Sequence, residues 1–226
     1  MFFVIVLGVS SIFPQKVDVT KNEDTLAAAT NVQKWLDSSS AKNPRYLHAV
    51  VNNAGIGIGG LIDWMDVSVF QKVMDGEINI LKSQNVVYFL LLCVSSIQQI
   101  LINFVSKTNT KVNYFGTIRT VKSFLPILKA QACSHLHDNA RIVNMVSMAG
   151  LVSNAGISSY YGSKHAQEAF TSCLRMELKS FDIDVVTVNP SVHETPMNDG
   201  LGKQISGIWE NLSSELKEEY GMGKYT

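Results

Sequence analysis

Arg141-Ile142-Val143-Asn144-Met145-Val146-Ser147 decides the fold, because it is a nearly continuous apolar run that ends on a hydroxyl side chain. Two similar runs cover residues 47–52 and 183–188. Strict alternation of apolar and polar residues is typical of a strand with one face in water, whereas continuous apolar runs indicate strands buried on both faces, as in a parallel sheet. The pattern therefore predicts buried parallel strands over these three ranges.

Apolar residues at helical spacing lie between the strands. They predict helices over residues 24–36, 114–130 and 160–179. The alternation of strands and helices predicts right-handed βαβ units in an α/β fold with a doubly wound, mostly parallel Rossmann-type sheet. We find no internal repeat, and we expect a single domain over residues 1–226.

The composition narrows the class of protein. A chain of 226 residues, 46% hydrophobic and 17% charged, suits one α/β domain with a sizeable core. Its 19 Lys and Arg residues are balanced by 19 Asp and Glu residues, so we expect no nucleic-acid partner. The three cysteines, without a C-x-x-C motif, indicate a reducing compartment, and we expect a cytoplasmic protein.

Cys133, His135 and His137 alternate in a way that could face one metal ion. They fall between a predicted helix and a predicted strand, where a polar surface loop is the better interpretation. We therefore expect no metal site.

Tyr160 and Lys164 are four residues apart, a spacing that brings two side chains to one face of a helix. Free tyrosine has a pKa of about 10, and a nearby cation would favour its phenolate. Lys164 supplies the cation, and Ser147 can hydrogen-bond the oxygen that gains or loses a proton. Such pairs also occur on solvated helices, so the pair alone is weak evidence. Together with Ser147, it predicts acid–base chemistry on a carbonyl or an alcohol.

Further motifs occur in a fixed order along the chain. They are Asn52-Asn53-Ala54-Gly55, Asn113-Tyr114-Phe115-Gly116, the strand ending at Ser147, the Tyr160/Lys164 pair and Asp184-Val185-Val186-Thr187-Val188-Asn189-Pro190. This series resembles the short-chain dehydrogenase/reductase family over most of residues 17–197. The segments around residues 195–197 and 208–221 resemble its retinol and hydroxysteroid dehydrogenase branch.

The resemblance implies a catalytic tetrad. Tyr160 would be the general acid/base, Lys164 would lower the pKa of Tyr160 and bind the nicotinamide ribose, Ser147 would polarise the carbonyl, and Asn113 would hold the helix and a water linking Lys164 to solvent. Tyr161 lies three residues from Lys164 and lacks the family spacing.

The resemblance also implies binding of NAD or NADP. Asp18 and Val19 match positions beside the adenine, and Asn52, Ala54 and Gly55 match the adenosine half. Pro190 opens a turn whose Thr195 would meet the nicotinamide amide. Ser191 stands where the family usually has glycine, and its side chain would crowd this approach.

The amino terminus departs from the family pattern. The family opens with a strand and a glycine-rich turn that holds the cofactor diphosphate, but no such turn precedes Asp18. Gly55-Ile56-Gly57-Ile58-Gly59-Gly60 formally matches G-x-G-x-x-G, yet these glycines belong to the Asn-Asn-Ala-Gly turn. We expect the N-terminal strands to be missing or replaced, with residues 1–13 forming an edge or core strand. The branch also extends past residue 226, so we expect a truncated domain.

Residues 76–111 interrupt a family-like stretch. Within them, residues 85–106 carry no charge and could span a bilayer by length and apolarity. Three interpretations remain open: a membrane span, a packed or disordered insertion, and non-coding sequence carried into the chain. The span ranks lowest, because both of its ends must return to one domain.

These observations predict an oxidoreductase that moves hydride between NAD(P) and a lipophilic alcohol or ketone, such as a retinol or a hydroxysteroid. The alternatives are a catalytically silent chain that dimerises with a relative and a mis-assembled gene product. A homodimer or heterodimer is possible, and membrane association is not favoured.

Overall fold

The computed structural model describes residues 2–8, 11–40, 45–57, 61–64, 110–133, 140–193 and 196–221. The described chain begins with an antiparallel hairpin of β1 (Phe2–Gly8) and β2 (Ser11–Val17). This hairpin confirms a strand near the amino terminus, and it stands where the family opening was expected to be missing or replaced.

Three parallel strands follow the hairpin in sequence and form their own sheet. They are β3 (Ala49–Asn52), β4 (Ala140–Met145) and β5 (Ile183–Val188), in the order β3-β4-β5. The register pairs Asn52 with Asn144 and Met145 with Val188, so the carboxyl ends of the three strands meet at one edge. Strand β1 approaches β3, with Cα atoms within 8 Å, but it belongs to a separate sheet. The predicted parallel α/β sheet is confirmed.

The described α-helices are α1 (Asn22–Asp37), α2 (Thr117–Cys133), α3 (Ser158–Leu178), α4 (Pro196–Glu210) and α5 (Ser214–Tyr220). Three of them, α1 to α3, match the predicted ones, and α4 and α5 were not predicted. A π-helix, Thr110–Gly116, leads directly into α2 and was not predicted. Apolar periodicity does not distinguish a π-turn from an α-turn, because it registers only that one face is buried.

The core lies between the helices and one face of the parallel sheet. Phe124 and Leu128 of α2 are fully buried together with Ile142 of β4, and Leu174 of α3 and Val185 of β5 complete the contact. Each buried side chain of this size contributes about 1.5–3 kcal/mol relative to exposure. The strands are therefore held against α2 and α3 by apolar burial.

The expectation that these strands are buried on both faces is wrong. Burial alternates along β3, β4 and β5, and Val186 and Val188 are each 38% exposed. The partly exposed face also carries an ion pair between Arg141 and Asp184, 3.3 Å apart. Among the described residues the core cluster lies on the other face, so apolar β-branched residues on this face reflect strand propensity as well as burial.

Gly116 allows the π-helix to approach the turn after β2 closely. A methyl group at this position would lie 2.9 Å from Val19 Cγ2, closer than side-chain carbons come to each other. Val19 is itself buried. The absence of a side chain at Gly116 thus sets the spacing between the end of the π-helix and the turn that follows β2.

Three aromatic residues join the C-terminal helices to a short 3₁₀ helix, Ile62–Trp64. The ring of Trp64 lies 5.7 Å from that of Trp209 in α4 and 5.8 Å from that of Tyr220 in α5. The hydroxyl of Tyr220 donates to the carboxylate of Asp63. We call these four residues the aromatic clasp.

Most of the predicted insertion lies outside the described residues. Of residues 76–111, Thr110 and Lys111 are described, and they form the first part of the π-helix. Within the described ranges, none of the helices has the length and apolarity that crossing a bilayer requires.

Candidate active site

Ser147 follows the carboxyl end of β4 and is fixed from two directions. Its backbone N–H donates to Asn189 Oδ1 at 3.2 Å, and its hydroxyl accepts from the backbone N–H of Ala149 at 3.1 Å. The next residue, Met148, donates its N–H to the carbonyl of Pro190 at 3.0 Å. The ends of β4 and β5 therefore hold the Ser147 hydroxyl at the edge of the sheet.

Tyr160 lies in the first turn of α3, and its side chain is a neighbour of the Ser147 side chain. Burial raises the pKa of Tyr160, and the hydrogen bond from Ser147 opposes this rise. The expectation that Lys164 lowers this pKa stays a prediction. The ring is half-buried, so its charged form is desolvated, and the ammonium of Lys164 donates to other acceptors.

Lys164 is 4% exposed, one turn after Tyr160 on the same helix. Its Nζ donates to the carbonyl of Met145 at 3.1 Å and to Gln167 Oε1 at 2.9 Å. It lies 5.9 Å from the centre of the Tyr160 ring. Burial lowers the pKa of Lys164 to about 8. An ammonium has three donors, so these two bonds leave one for a ligand.

Asn113 connects three parts of the site from the π-helix. Its Oδ1 accepts from the backbone N–H of Ile56 at 2.9 Å, and its Nδ2 donates to the carbonyl of Ile56 and to Ser163 Oγ, both at 3.0 Å. Ser163 in turn donates to the carbonyl of Tyr160 at 2.8 Å. Asn113 is fully buried, so it fixes the turn after β3 against the start of α3.

Gly55 borders the ammonium and the amide of Asn113. A methyl group at this position would lie 3.5 Å from Asn113 Oδ1 and 3.7 Å from Lys164 Nζ. The side chain of Asn52 points elsewhere, since its Nδ2 donates to Asn144 Oδ1 at 2.8 Å in a buried contact. Ala54 is half-buried against the core. Of these three predicted cofactor residues, Gly55 is the one brought next to Lys164.

Asp18 and Val19, predicted beside the adenine, follow β2, and Val19 contacts Gly116 at the end of the π-helix. The carboxylate of Asp18 accepts from the N–H and the hydroxyl of Thr20, at 3.0 and 2.6 Å. The side chain of Val19 is buried against Gly116, three residues after Asn113.

The predicted turn after β5 is described in part. Pro190 is half-buried, and its carbonyl helps to fix Met148, while Thr195 lies outside the described residues. Ser191 is exposed, and Asp182 is the one non-glycine with positive φ in the described ranges. The backbone at Ser191 therefore does not need the conformational freedom of glycine.

Two buried residues of the site were missed by sequence reasoning. Gln167 and Ser163 contact Lys164 and Asn113, and each lies three residues after a predicted site residue, Lys164 and Tyr160 respectively. Helical spacing could have found them, because residues at i and i+3 share a face.

The cysteines and the histidines near Cys133 are described only in part. Cys133 and Cys173 are free and exposed, while Cys93, His135 and His137 lie outside the described residues. The described part of the chain contains no group of three or more His, Cys, Asp or Glu side chains that could hold a metal ion.

The sequence assigns the chain to a protein family. The profile of the family described as short chain dehydrogenase matches residues 94–206, half of the chain. The chain belongs to the short-chain dehydrogenase family. This short-chain dehydrogenase sequence is 29% identical over 213 residues to a 3beta-hydroxysteroid dehydrogenase of Caenorhabditis elegans, covering 93% of the chain and 43% of that relative. It is 28% identical over 208 residues to retinol dehydrogenase 16 of Rattus norvegicus, covering 91% of the chain and 50% of that relative. These matches confirm the resemblance to the retinol and hydroxysteroid dehydrogenase branch.

The fold is similar to that of solved short-chain dehydrogenases. A short chain dehydrogenase/reductase from Burkholderia phymatum in complex with NAD superposes with a TM-score of 0.56 at 21% identity, covering 88% of this chain and 54% of that one. The chain spans about half the length of the curated relatives that it matches.

The buried ammonium makes the stability of the chain dependent on pH. The pKa of Lys164 falls from 10.5 to about 8 on folding, so between these values the unfolded chain binds more protons and stability rises with pH. From pH 7 to 10, the wild type should gain up to roughly 3 kcal/mol of unfolding free energy relative to Lys164→Met. Urea denaturation at a series of pH values measures this difference. Lys179→Met, an exposed lysine just after α3, controls for the loss of a lysine as such. Parallel pH curves for the wild type and Lys164→Met would contradict the prediction.

Proposed function

We propose that this short-chain dehydrogenase transfers hydride between NAD(P) and a lipophilic alcohol or ketone, with Tyr160 as the general acid/base. One observation carries the proposal. The side chains of Ser147 and Tyr160 are neighbours, and the Lys164 ammonium lies 5.9 Å from the centre of the Tyr160 ring, one turn further along the same helix. Two neighbouring hydroxyls with a buried cation nearby can serve proton transfer to a carbonyl.

Tyr160, Ser147 and Lys164 have different roles in the proposed proton transfer. A tyrosine is protonated at neutral pH, and burial raises the pKa of Tyr160 further, so it can donate its proton to a carbonyl oxygen. Ser147 hydrogen-bonds the same oxygen and is held in place by the N–H of Ala149 and by Asn189. When Tyr160 loses its proton, the Lys164 ammonium favours the phenolate that is left. In the direction of alcohol oxidation, the phenolate takes the hydroxyl proton instead.

The residues present fit the nicotinamide end of NAD(P). The third N–H of Lys164 is available to a ribose hydroxyl, and the missing side chain at Gly55 keeps the approach to Nζ open. When bound, the cofactor supplies or accepts the hydride. The diphosphate end fits less well, because residues 1–17 hold a single glycine, Gly8, and β1 and β2 pair as antiparallel strands. We therefore infer weak cofactor binding by a chain of these 226 residues.

Exposed apolar side chains next to Ser147 support a lipophilic substrate. Met148, Leu151 and Val152 are 40%, 52% and 53% exposed in the turn that follows the site serine. Scattered apolar residues are common on surfaces, but three in one turn beside a reactive hydroxyl form a patch that a bulky apolar ligand can cover. Relatives named as retinol and hydroxysteroid dehydrogenases are consistent with such a ligand.

We propose that residues 1–226 form one domain, because β2 of the hairpin, the parallel sheet and α1 to α3 share one core cluster. A homodimer or a heterodimer with a related chain is part of the same proposal. The rival function, a silent dimerisation partner, would follow if the chain bound a relative but neither bound cofactor nor turned over substrate.

Tyr160→Phe tests the acid/base assignment. Removing the hydroxyl should lower kcat by about 10²–10⁴-fold with little change in thermal midpoint, since one general acid/base contributes that much. Tyr161→Phe is the matched control and should keep its activity. NAD(P)H absorbance with a steroid or retinoid substrate measures turnover, and an active Tyr160→Phe protein refutes the assignment.

Fluorescence titration tests cofactor binding. NADH and NADPH should bind with dissociation constants weaker than micromolar, because no glycine-rich turn receives the diphosphate. Gly55→Val should weaken binding further by covering the Lys164 ammonium. Gly207→Val, at a position with open space around it, should not. Micromolar affinity for either cofactor overturns the inference of weak binding.

Leu151→Ser tests the substrate class. We expect kcat/KM for a polycyclic or long-chain alcohol to fall by about 10-fold, since one lost apolar contact has this effect, with little change for a small secondary alcohol. Met176→Ser removes an equally apolar side chain, 72% exposed in the last turn of α3, and is the control. An equal loss for small and bulky substrates would contradict a lipophilic contact at Leu151.

A further inference from the structure

Gln167 is a fully buried polar residue that the acid/base chemistry does not use directly. Its Oε1 accepts from Lys164 Nζ at 2.9 Å, and its Nε2 donates to Thr117 Oγ1 at 3.0 Å. A buried amide is costly unless both of its ends are hydrogen-bonded. The oxygen of Gln167 has its partner, Lys164, on α3, and the nitrogen has its partner, Thr117, on α2. The side chain thus spans from α3 to α2 beneath the site.

The hydrogen bonds run in one direction. An ammonium can only donate, so the amide oxygen must face Lys164 and the amide nitrogen must face Thr117. Thr117 then donates its hydroxyl to the carbonyl of Asn113 at 2.8 Å. Each group in this series of hydrogen bonds fixes the orientation of the one before it. The series joins Lys164 to Asn113, which holds the turn after β3.

We propose that Gln167 is the positioning residue of Lys164: its amide oxygen holds the ammonium at the site, and its amide nitrogen ties the pair to the helix that carries Asn113. The inference rests on the proposed function for its catalytic meaning, but the contact itself does not depend on turnover. The ammonium of Lys164 has two acceptors, the Met145 carbonyl and the Gln167 amide oxygen, and without Gln167 it would keep only the first. The long side chain of Lys164 could then turn away from the site.

Few groups compete with Gln167 for control of Lys164. On α3, the titratable neighbour is Tyr160, 5.9 Å from Nζ to the ring centre. Strand β4 offers the carbonyl of Met145, the π-helix offers Asn113, and the turn after β3 offers Gly55. Burial is the cause of the lowered pKa of Lys164, with no charged side chain acting on it among the described residues. Among the groups around Lys164, the amide oxygen of Gln167 is therefore the one that a substitution can remove without changing a charge or the backbone.

Two substitutions of Gln167 should move the pKa of Lys164 in opposite directions. Gln167→Met keeps the volume but removes the acceptor, so the pKa should fall by about one unit, because a hydrogen bond stabilises the charged form. Gln167→Glu keeps the acceptor and adds a charge, so the pKa should rise by about 1–3 units. NMR titration of protein labelled at the lysine ε-carbon measures it, with the Lys164 signal assigned by its loss in Lys164→Met.

Controls separate positioning from a purely structural role. Ser123→Ala removes another buried hydrogen bond between helices, from Ser123 to Thr25 at 3.0 Å, and should lower stability without moving the Lys164 signal. Should Gln167→Met fail to fold, Thr117→Val frees the amide nitrogen and is expected to shift the pKa in the same downward direction. One shared Lys164 pKa in the wild type and the foldable Gln167 and Thr117 variants overturns the proposal.

The turnover assay distinguishes failure of this inference from failure of the proposed function. In an active enzyme, the alkaline limb of kcat/KM should move with the NMR pKa of each variant. If the wild type is inactive while the pKa shifts occur, positioning by Gln167 is supported and the proposed function fails. If the wild type is active and the pH profiles of the Gln167 variants coincide, the inference fails alone.

Discussion

A lysine ammonium removed from water must find acceptors, and Lys164 finds two at the junction of β4 and α3. The Met145 carbonyl and the Gln167 amide replace part of its hydration, yet burial still lowers its pKa to about 8. A charge in this position is tolerated because its surroundings are polar and ordered. The positions of Tyr160 and of the turn after β3 both follow from the same set of buried hydrogen bonds.

The site is assembled from separate elements that would not meet without the parallel register. Strand β4 delivers Ser147, the end of β5 fixes it through Asn189, and α3 presents Tyr160 and Lys164 together. The π-helix contributes Asn113, and a π-turn at this point is a common device for placing a functional side chain. Apolar packing sets the layers, and the polar groups then fix the geometry at the sheet edge.

Much of this arrangement could be read from the chain. Continuous apolar runs located all three parallel strands, and the i to i+4 spacing located Tyr160 and Lys164 on one helix face. What periodicity could not reveal is how the side chains are oriented and buried within the cluster: that Lys164 turns toward Gln167, and that the Tyr160 ring is buried enough to raise its pKa. Burial on one face only was also missed, since valine favours strands whether covered or not.

The aromatic clasp has a practical consequence. It contains two of the three tryptophans, Trp64 and Trp209, with ring centres 5.7 Å apart, while Trp35 stands apart on α1 beneath the Arg45 guanidinium. Indoles this close exchange excitation and quench each other, so the fluorescence of the native chain reports whether α4 and α5 are packed against the 3₁₀ helix Ile62–Trp64. Lifting of the C-terminal segment would be visible in an ordinary cuvette, without any label.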